Sequence, residues 1–321
     1  MDYLKPLRAA RRLRTLAITR FGLPTLTDPA QEARFAALAP RYRAVRDRLA
    51  ASAGAGPEGA PSTYAWGDWE REVADRFRDG LTVDFLRDPT LAHTMFFGAT
   101  GRLSERLARV RVAFPGGVAE DLLLEDAVGR PPLVDRETMT SANRAHHAYH
   151  LATHAMVTGR SLFGARTVVE WGGGYGSMAR IVRRMNRAQT YVILDLPALS
   201  AVQWVYLSAL EGEDATHLVT ADDPTIREGR VNLVSSTFAL EHLPALTADA
   251  FITTWALTES PPPLQDAVIA RDFFGATQLM VGYTLDGNNR VREALASRGC
   301  VQRTLSILAR EGAFQNEYSL R

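Results

Sequence analysis

The sequence predicts an α/β protein: a Rossmann-like, mostly parallel sheet in the C-terminal half, preceded by a mostly helical N-terminal region. Three observations carry this. From Thr167 onward, short apolar β-branched runs alternate with helical segments. The first run closes on "EWGGGYG", a glycine cluster at a strand-to-helix turn. Upstream, apolar residues recur at three- and four-residue steps instead. The boundary is placed at residue 134, giving a helical region 1–134 and a sheet domain 135–321.

In chain order, "EARFAALAPRYRAVRDRLAA" reads as helix, and Ala51–Thr63 as a Pro/Gly-rich linker or long loop. "WGDWEREVADRFRDGL" and "GRLSERLARVRVAF" are the clearest helices of the next segment. "AFPGGVAEDLLLEDAVGRPPL" is broken by Pro and Gly and suits turns or a short hairpin; its acids read as a solvated face. "SANRAHHAYHLATHAMV" returns to helix. Then come strand "TVVEW", helix "GSMARIVRRMN", strand "TYVILDL" and helix "PALSAVQWVYLSAL". "HLVTA", "VNLVSS", "AFITTWAL" and "TQLMVGY" are further apolar runs.

In a parallel sheet of this kind ligands bind beyond the carboxyl ends of the strands, where glycines let the backbone approach them. The spacing is Glu170-x-Gly172-x-Gly174-x-Gly176, with Tyr175 inside the loop. A dinucleotide fingerprint G-x-G-x-x-G/A also fits when started at Gly174, so the glycines alone leave both cofactors open. Glu170 favours the ammonium of a methionine moiety over a pyrophosphate. Asp195, closing the second strand about 20 residues on, is placed to accept hydrogen bonds from ribose hydroxyls.

The loop resembles motif I of class I S-adenosylmethionine-dependent methyltransferases. Together with "YVILDLPALSAVQWVYLSAL" and "AFITTWALTESPP", it is similar to the sugar O-methyltransferase family of bacterial natural-product pathways. There an E-x-G-G-G-Y-G loop precedes an I-D-L-P strand end, a Gln–Tyr–Leu helix and a strand closing on Ser/Thr-x-x-Leu-x-Glu. The resemblance covers residues 135–290 and implies S-adenosyl-L-methionine as cofactor. Its cofactor-binding residues would be Glu170, Gly172, Gly174, Tyr175, Gly176, Asp195 and Leu196.

Two strand registers compete. In one, "HLVTADD" is the third strand, with Asp222 or Asp223 against the adenine, and "VNLVSSTFALEHL" is the fourth. In the other, "VNLVSS" is third and "AFITTW" fourth. The second is preferred because "FITTW" is a poor helix and its spacing to the fifth strand is normal. It sets Ser236, Thr237 and Phe238 beside the adenine, Trp255 and Ala256 beside the cofactor, and His242 on the surface or in packing.

Methyl transfer to an alcohol needs positioning and a general base. Glu259, just after the fourth strand, is the first candidate, with a helix-N-terminal carboxylate as the bland alternative. The histidines of "HHAYHLATH" are the second: His146, His150 and His154 recur every four residues on one face, and His147 and His150 are the catalytic candidates. A structural or solvent-exposed face is the competing use; no cysteine or obvious carboxylate completes a metal site there, so no metal is expected. Trp66, Trp69, Phe96 and Phe97 suit core packing or an acceptor pocket.

Composition narrows the partners. Across 321 residues, 37 basic and 36 acidic side chains leave a net charge of +1, without the basic excess of a nucleic-acid or membrane-surface binder. Lys5 is the only lysine, which excludes a Walker A loop, a Tyr-x-x-x-Lys dehydrogenase pair and an interior Schiff base. Cys300 is the only cysteine, excluding an internal disulfide framework. The basic start shows no secretory apolar region, so a cytoplasmic protein is expected.

The expected function is methyl transfer from S-adenosylmethionine to a small molecule, at a hydroxyl of a sugar or other natural product. The helical half would roof the pocket or form a homodimer contact. C- or N-methylation, a nicotinamide-dependent oxidoreductase and a non-catalytic binding subunit are the alternatives.

Overall fold

The computed structural model describes residues 25–53, 66–95, 102–285, 290–305 and 315–321. The basic N-terminal stretch, most of the Pro/Gly-rich linker, and Phe96 and Phe97 lie outside the described residues.

The N-terminal region is helical: α1 (Pro29–Leu38), α2 (Tyr42–Ala53), α3 (Trp66–Arg76), α4 (Pro89–Met95), α5 (Leu103–Ala113) and α6 (Val118–Leu123). Local sequence explains the starts. Asp28 caps α1 by accepting from the Ala30 and Gln31 amides at 2.9 and 3.1 Å, with Pro29 in the first turn. A two-stranded ribbon, β1 (Leu133–Asp135) and β2 (Thr140–Ser141), leads into the long helix α7 (Ala142–Thr158). Ser141 caps α7 by accepting from the Arg144 amide, and Gly159, at φ 68°, ends it.

The sheet then builds from β3 (Thr167–Trp171), α8 (Ser177–Met185), β4 (Thr190–Asp195), α9 (Pro197–Glu211), β5 (Thr216–Val219), β6 (Val231–Ser235), α10 (Ser236–His242) and β7 (Ala250–Thr254). It continues through α11 (Ala256–Glu259), α12 (Pro262–Ala270), β8 (Gln278–Leu285), α13 (Arg290–Ser297), β9 (Val301–Leu305) and β10 (Gln315–Leu320). The spatial order is β5-β6-β4-β3-β7-β8-β10-β9. β3 to β8 run parallel, and β10 is antiparallel to both β8 and β9.

The segment β6-β4-β3-β7-β8 repeats the 3-2-1-4-5 order of doubly wound nucleotide folds, whose sixth strand in the dinucleotide-binding version simply continues the series. Here a reversed strand is wedged in after β8. That is the Rossmann-like methyltransferase sheet, α/β as the sequence predicts.

Of the two registers, β6 lies against β4, and β7 against β3. "THLV" is also a strand, but an edge strand beyond β6. Asp223 is thereby carried to the rim, where it pairs with Arg227 at 2.7 Å. His242 is exposed beside Glu241.

Strand periodicity sorts the core onto two faces. Val168, Ile193, Ile252 and Met280 point to one side, and Val169, Val192, Phe251 and Leu279 to the other. All six residues of β4 are buried because helices cover both faces. α9 is buried along most of its length, between the sheet and helices α1 and α2. The apolar core beneath it therefore runs without a break from Phe35 and Tyr42 to Tyr191 and Tyr318.

One expectation fails. The acids of "EDLLLEDAVGR" are not all a solvated face: Glu120 and Asp121 are exposed, but Glu125 and Asp126 are buried. Asp126 accepts from Arg144, Arg180 and Arg184 at 2.7–3.1 Å, and Glu125 from Arg144 and Ser141. Three guanidinium groups hold the Asp126 carboxyl far below the usual carboxylate range despite its burial.

Candidate active site

The sheet order reverses at β3, and the loop Gly172–Gly176 leaves its carboxyl end there, at the topological switch point. Gly172, Gly174 and Gly176 have φ of 77°, 59° and 94°, a region that favours glycine. The structure also shows what crowds them. A Cβ on Gly172 would lie 2.1 Å from that of Ala256, one on Gly173 2.6 Å from Ile193, and one on Gly174 2.8 Å from the Met95 sulfur. A Cβ on Gly176 would lie 3.1 Å from Leu207. The close approach expected of a ligand is made here by the protein's own neighbours, which fix the loop between α11 and α9.

Glu170 lies buried beneath this loop, accepting from the Tyr191 hydroxyl at 2.9 Å. Burial pushes its carboxyl up to about 8. Asp195 closes β4, with one carboxylate oxygen accepting from the Leu196 amide (2.8 Å) and the other from Gln203 Nε2 (2.7 Å). Gln203 also donates to the Gly174 carbonyl, tying the Asp195 carboxylate to the glycine loop. Burial raises Asp195 to about 7, with Glu70 adding repulsion. Glu70, on α3, accepts from the Ala198 amide at the start of α9. Two buried carboxyls poised to lose a proton, each with lone pairs beyond the donors described, suit a ligand carrying an ammonium and paired hydroxyls.

Neighbouring strand ends supply the rest. Ser235 is the register partner of Asp195, so Ser236 and Thr237 follow directly beside it. Thr237 donates to the Ala53 carbonyl, joining that edge to α2. Phe238 is in the core on the opposite sheet face. The Tyr175 side chain is buried, edge-on to Tyr206 at 5.1 Å.

Trp255 leaves β7 at φ 70°, an unusual conformation for a bulky residue, and its amide donates to Gly282. Its ring stacks on His146 (5.7 Å, 22°) and lies 5.5 Å from His150. His150 meets His146 at 4.0 Å and Tyr318 of β10 at 5.2 Å. The solvent-exposed alternative for this helix face is corrected: His146, His150 and His154 are buried, and His147 is half-buried. His154 separates from the others, reaching the Arg321 carbonyl. Burial pushes all four imidazoles down, His147 to about 3, with the Arg106 charge adding to the effect on His146 and His150.

Glu259 ends α11, half-buried, its amide bonded to the Trp255 carbonyl. Trp69 is buried and donates to the Thr90 carbonyl, with Trp66 edge-on to it, so both serve packing. Among the described residues no group of His, Cys, Asp and Glu is arranged to hold a metal, and no helix is long and apolar enough to cross a membrane.

Sequence reasoning met Gln203 only as part of the Gln–Tyr–Leu helix and passed over Glu70, Met95 and Arg106. Gln203 carried a signal, two turns after Asp195 on a helix starting at Pro197. The other three come from the N-terminal half, where no motif marks them.

No protein-family model and no curated protein matches the chain. Solved structures similar to it include the mitomycin 7-O-methyltransferase MmcR (16% identity, 91% of this chain and 94% of that one, TM-score 0.33). An O-methyltransferase family protein from Burkholderia thailandensis matches at 14% identity over 100% and 98%, TM-score 0.34. The CurJ carbon methyltransferase matches at 12% over 99% and 90%, TM-score 0.36.

Proposed function

We propose that this chain is an S-adenosylmethionine-dependent methyltransferase acting on a small molecule, and that it O-methylates a sugar or another hydroxylated natural product. The observation that carries the reading is Asp195: a buried carboxylate at the end of β4, linked through Gln203 to the glycine loop at the switch point. The reversed strand β10 weighs against the dinucleotide alternative.

Asp195 and Glu170 fit the cofactor's hydroxyls and ammonium, with Ser236, Thr237 and Leu196 along the same strand ends. When bound, the cofactor supplies an electrophilic methyl group on sulfur. The chain's own residues position the acceptor beside it and take its proton. His150 is the better base on geometry: neither ring nitrogen has a hydrogen-bond partner among the described residues, and its neutral form is the one that accepts a proton. His147 and His146 flank it, and Glu259 stands one turn beyond Trp255.

Calorimetry with S-adenosylmethionine, S-adenosylhomocysteine, NAD⁺ and NADP⁺ tests the first claim. Binding of the first two and neither of the others is expected; the reverse overturns it. Asp195→Ala should weaken cofactor binding by about 1–3 kcal/mol through lost hydrogen bonds. With an acceptor found in a panel of hydroxylated natural products, His150→Asn should cut turnover by about 10²-fold and Glu259→Gln by less than about tenfold. The opposite ranking returns the base to Glu259. Product analysis by mass spectrometry and NMR separates O- from C- and N-methylation.

A further inference from the structure

Arg106, on α5, is 1% exposed. None of its three guanidinium nitrogens has a hydrogen-bond partner among the described residues. A buried arginine is ordinarily paired, because an unpartnered charge away from water is among the costliest arrangements a protein can hold. This one faces α7, against which α5 packs, and its charge reaches His146 and His150.

The groups around it are short of partners as well. His146 Nδ1, His147 Nδ1, both nitrogens of His150, the Thr153 hydroxyl and the Tyr318 hydroxyl are buried without hydrogen bonds among the described residues. Other buried polar atoms without partners, such as the Tyr42 hydroxyl and Gln203 Oε1, are scattered through the core, whereas nine such atoms gather on Arg106 and these five neighbours. So many orphans in one cluster mark a place built for a ligand's polar atoms. The cluster borders the cofactor side by direct contact: Trp255 stacks on His146, and the adjoining Ala256 closes on Gly172. Trp255 and His147 are its half-buried members.

We infer that this cluster is the acceptor subsite, and that the acceptor carries a carboxylate which Arg106 holds in a two-pronged salt bridge while His150 faces its hydroxyl. The inference rests on the methyltransferase reading given above. A carboxylate is favoured over a phosphate by charge. Among the described residues Arg106 is the one unpaired cation of the cluster, and the neighbouring Arg144 is already engaged by Glu125 and Asp126. One guanidinium balances one negative charge, whereas a phosphate dianion would bring a second. Aromatic walls from Trp255, His146 and Tyr318 suit a flat or apolar body on the carboxylate.

The test uses benzoate as the anionic probe and benzamide as its neutral counterpart, titrated into the 321-residue chain with S-adenosylhomocysteine present. Wild type should prefer benzoate by at least about tenfold. Arg106→Met, which keeps the length and removes the charge, should lose that preference while keeping wild-type affinity for S-adenosylhomocysteine. It should also unfold at the same temperature as wild type or a higher one. Arg106→Gln is a second neutral replacement with the same expectation for the preference. Equal binding of the two probes by wild type, a preference that survives both substitutions, or earlier unfolding of both variants overturns the inference. Titration of wild type with S-adenosylhomocysteine alone separates the two claims. Cofactor binding without a benzoate preference sinks the carboxylate anchor, and a benzoate preference without cofactor binding sinks the methyltransferase reading.

Discussion

Helix α7 carries two kinds of buried charge within two turns. At its start, Arg144 is 0% exposed and meets Glu125 and Asp126 at 2.8 and 2.7 Å. Two to six residues on, buried His146 and His150 and half-buried His147 stand with Arg106, and none of these four has a carboxylate partner among the described residues. The first arrangement fixes α7 to α8 and to the turn after α6. The second leaves its polar atoms with no internal use. Burial alone therefore says little about what a charged residue is for; whether the surroundings answer the charge is what separates scaffold from site.

The largest expected effect breaks the paired end. Asp126→Ala strands Arg144, Arg180 and Arg184 around a missing carboxylate, and should lower stability by about 3–5 kcal/mol in urea unfolding. Arg106→Met, judged by the same measurement, should cost nothing and could add stability. Equal losses in the two variants would erase the distinction drawn between the two ends.

The next effect belongs to the unpaired end. The folded state holds His146, His147 and His150 below their ordinary value near 6.5, His147 at about 3. Below pH 6.5 the unfolded chain takes up protons that the folded chain refuses. The stability these three residues contribute is thus complete above pH 6.5 and falls as the pH drops toward 3. His150→Phe should make the acid limb of a stability–pH curve shallower by about one proton. An unchanged limb would mean that this imidazole is already protonated in the native state.

The smallest effect sharpens the comparison by holding distance fixed. Arg41 and Glu213 also stand 2.7 Å apart, but both are 51% exposed. Glu213→Gln should change stability by less than about 1 kcal/mol, against several for Asp126→Ala at the same separation. A loss of similar size at the surface would show that separation, not burial, governs these pairs.

The sheet was legible because its determinants are local. Short apolar, β-branched runs in "TVVEW" and "YVILD", the turn at Gly172–Gly176 and the poor helix potential of "FITTW" each act over a few residues, and together they place β3, β4, β6, β7 and β8. Asp195 was legible for the same reason, standing at a strand end one βα unit after the glycines. Glu125 and Asp126 misled because acids in a polar run look solvated, and the arginines that bury them lie 18 to 58 residues away. Arg106 was invisible for the converse reason. One arginine in a helix rich in them carries no local mark, and its significance lies in what fails to meet it. The glycine loop fell between these cases: its position was evident, but the neighbours that crowd it, Ala256, Ile193, Met95 and Leu207, are set by the tertiary fold.

The wedged strand β10 sets a timetable for this molecule. It enters between β8 and β9, brings Tyr318 against His150, and sets the Arg321 carbonyl against His154, a contact between residues 167 positions apart. Asp126, by contrast, finds all its arginine partners within 58 residues. Closures over long stretches of chain are slow, and nearby ones are fast. During refolding the ionic clamp should therefore form first, while the histidine wall waits for β10 to slot in. A chain caught between the two events would be compact, its scaffold finished before the histidine wall has closed.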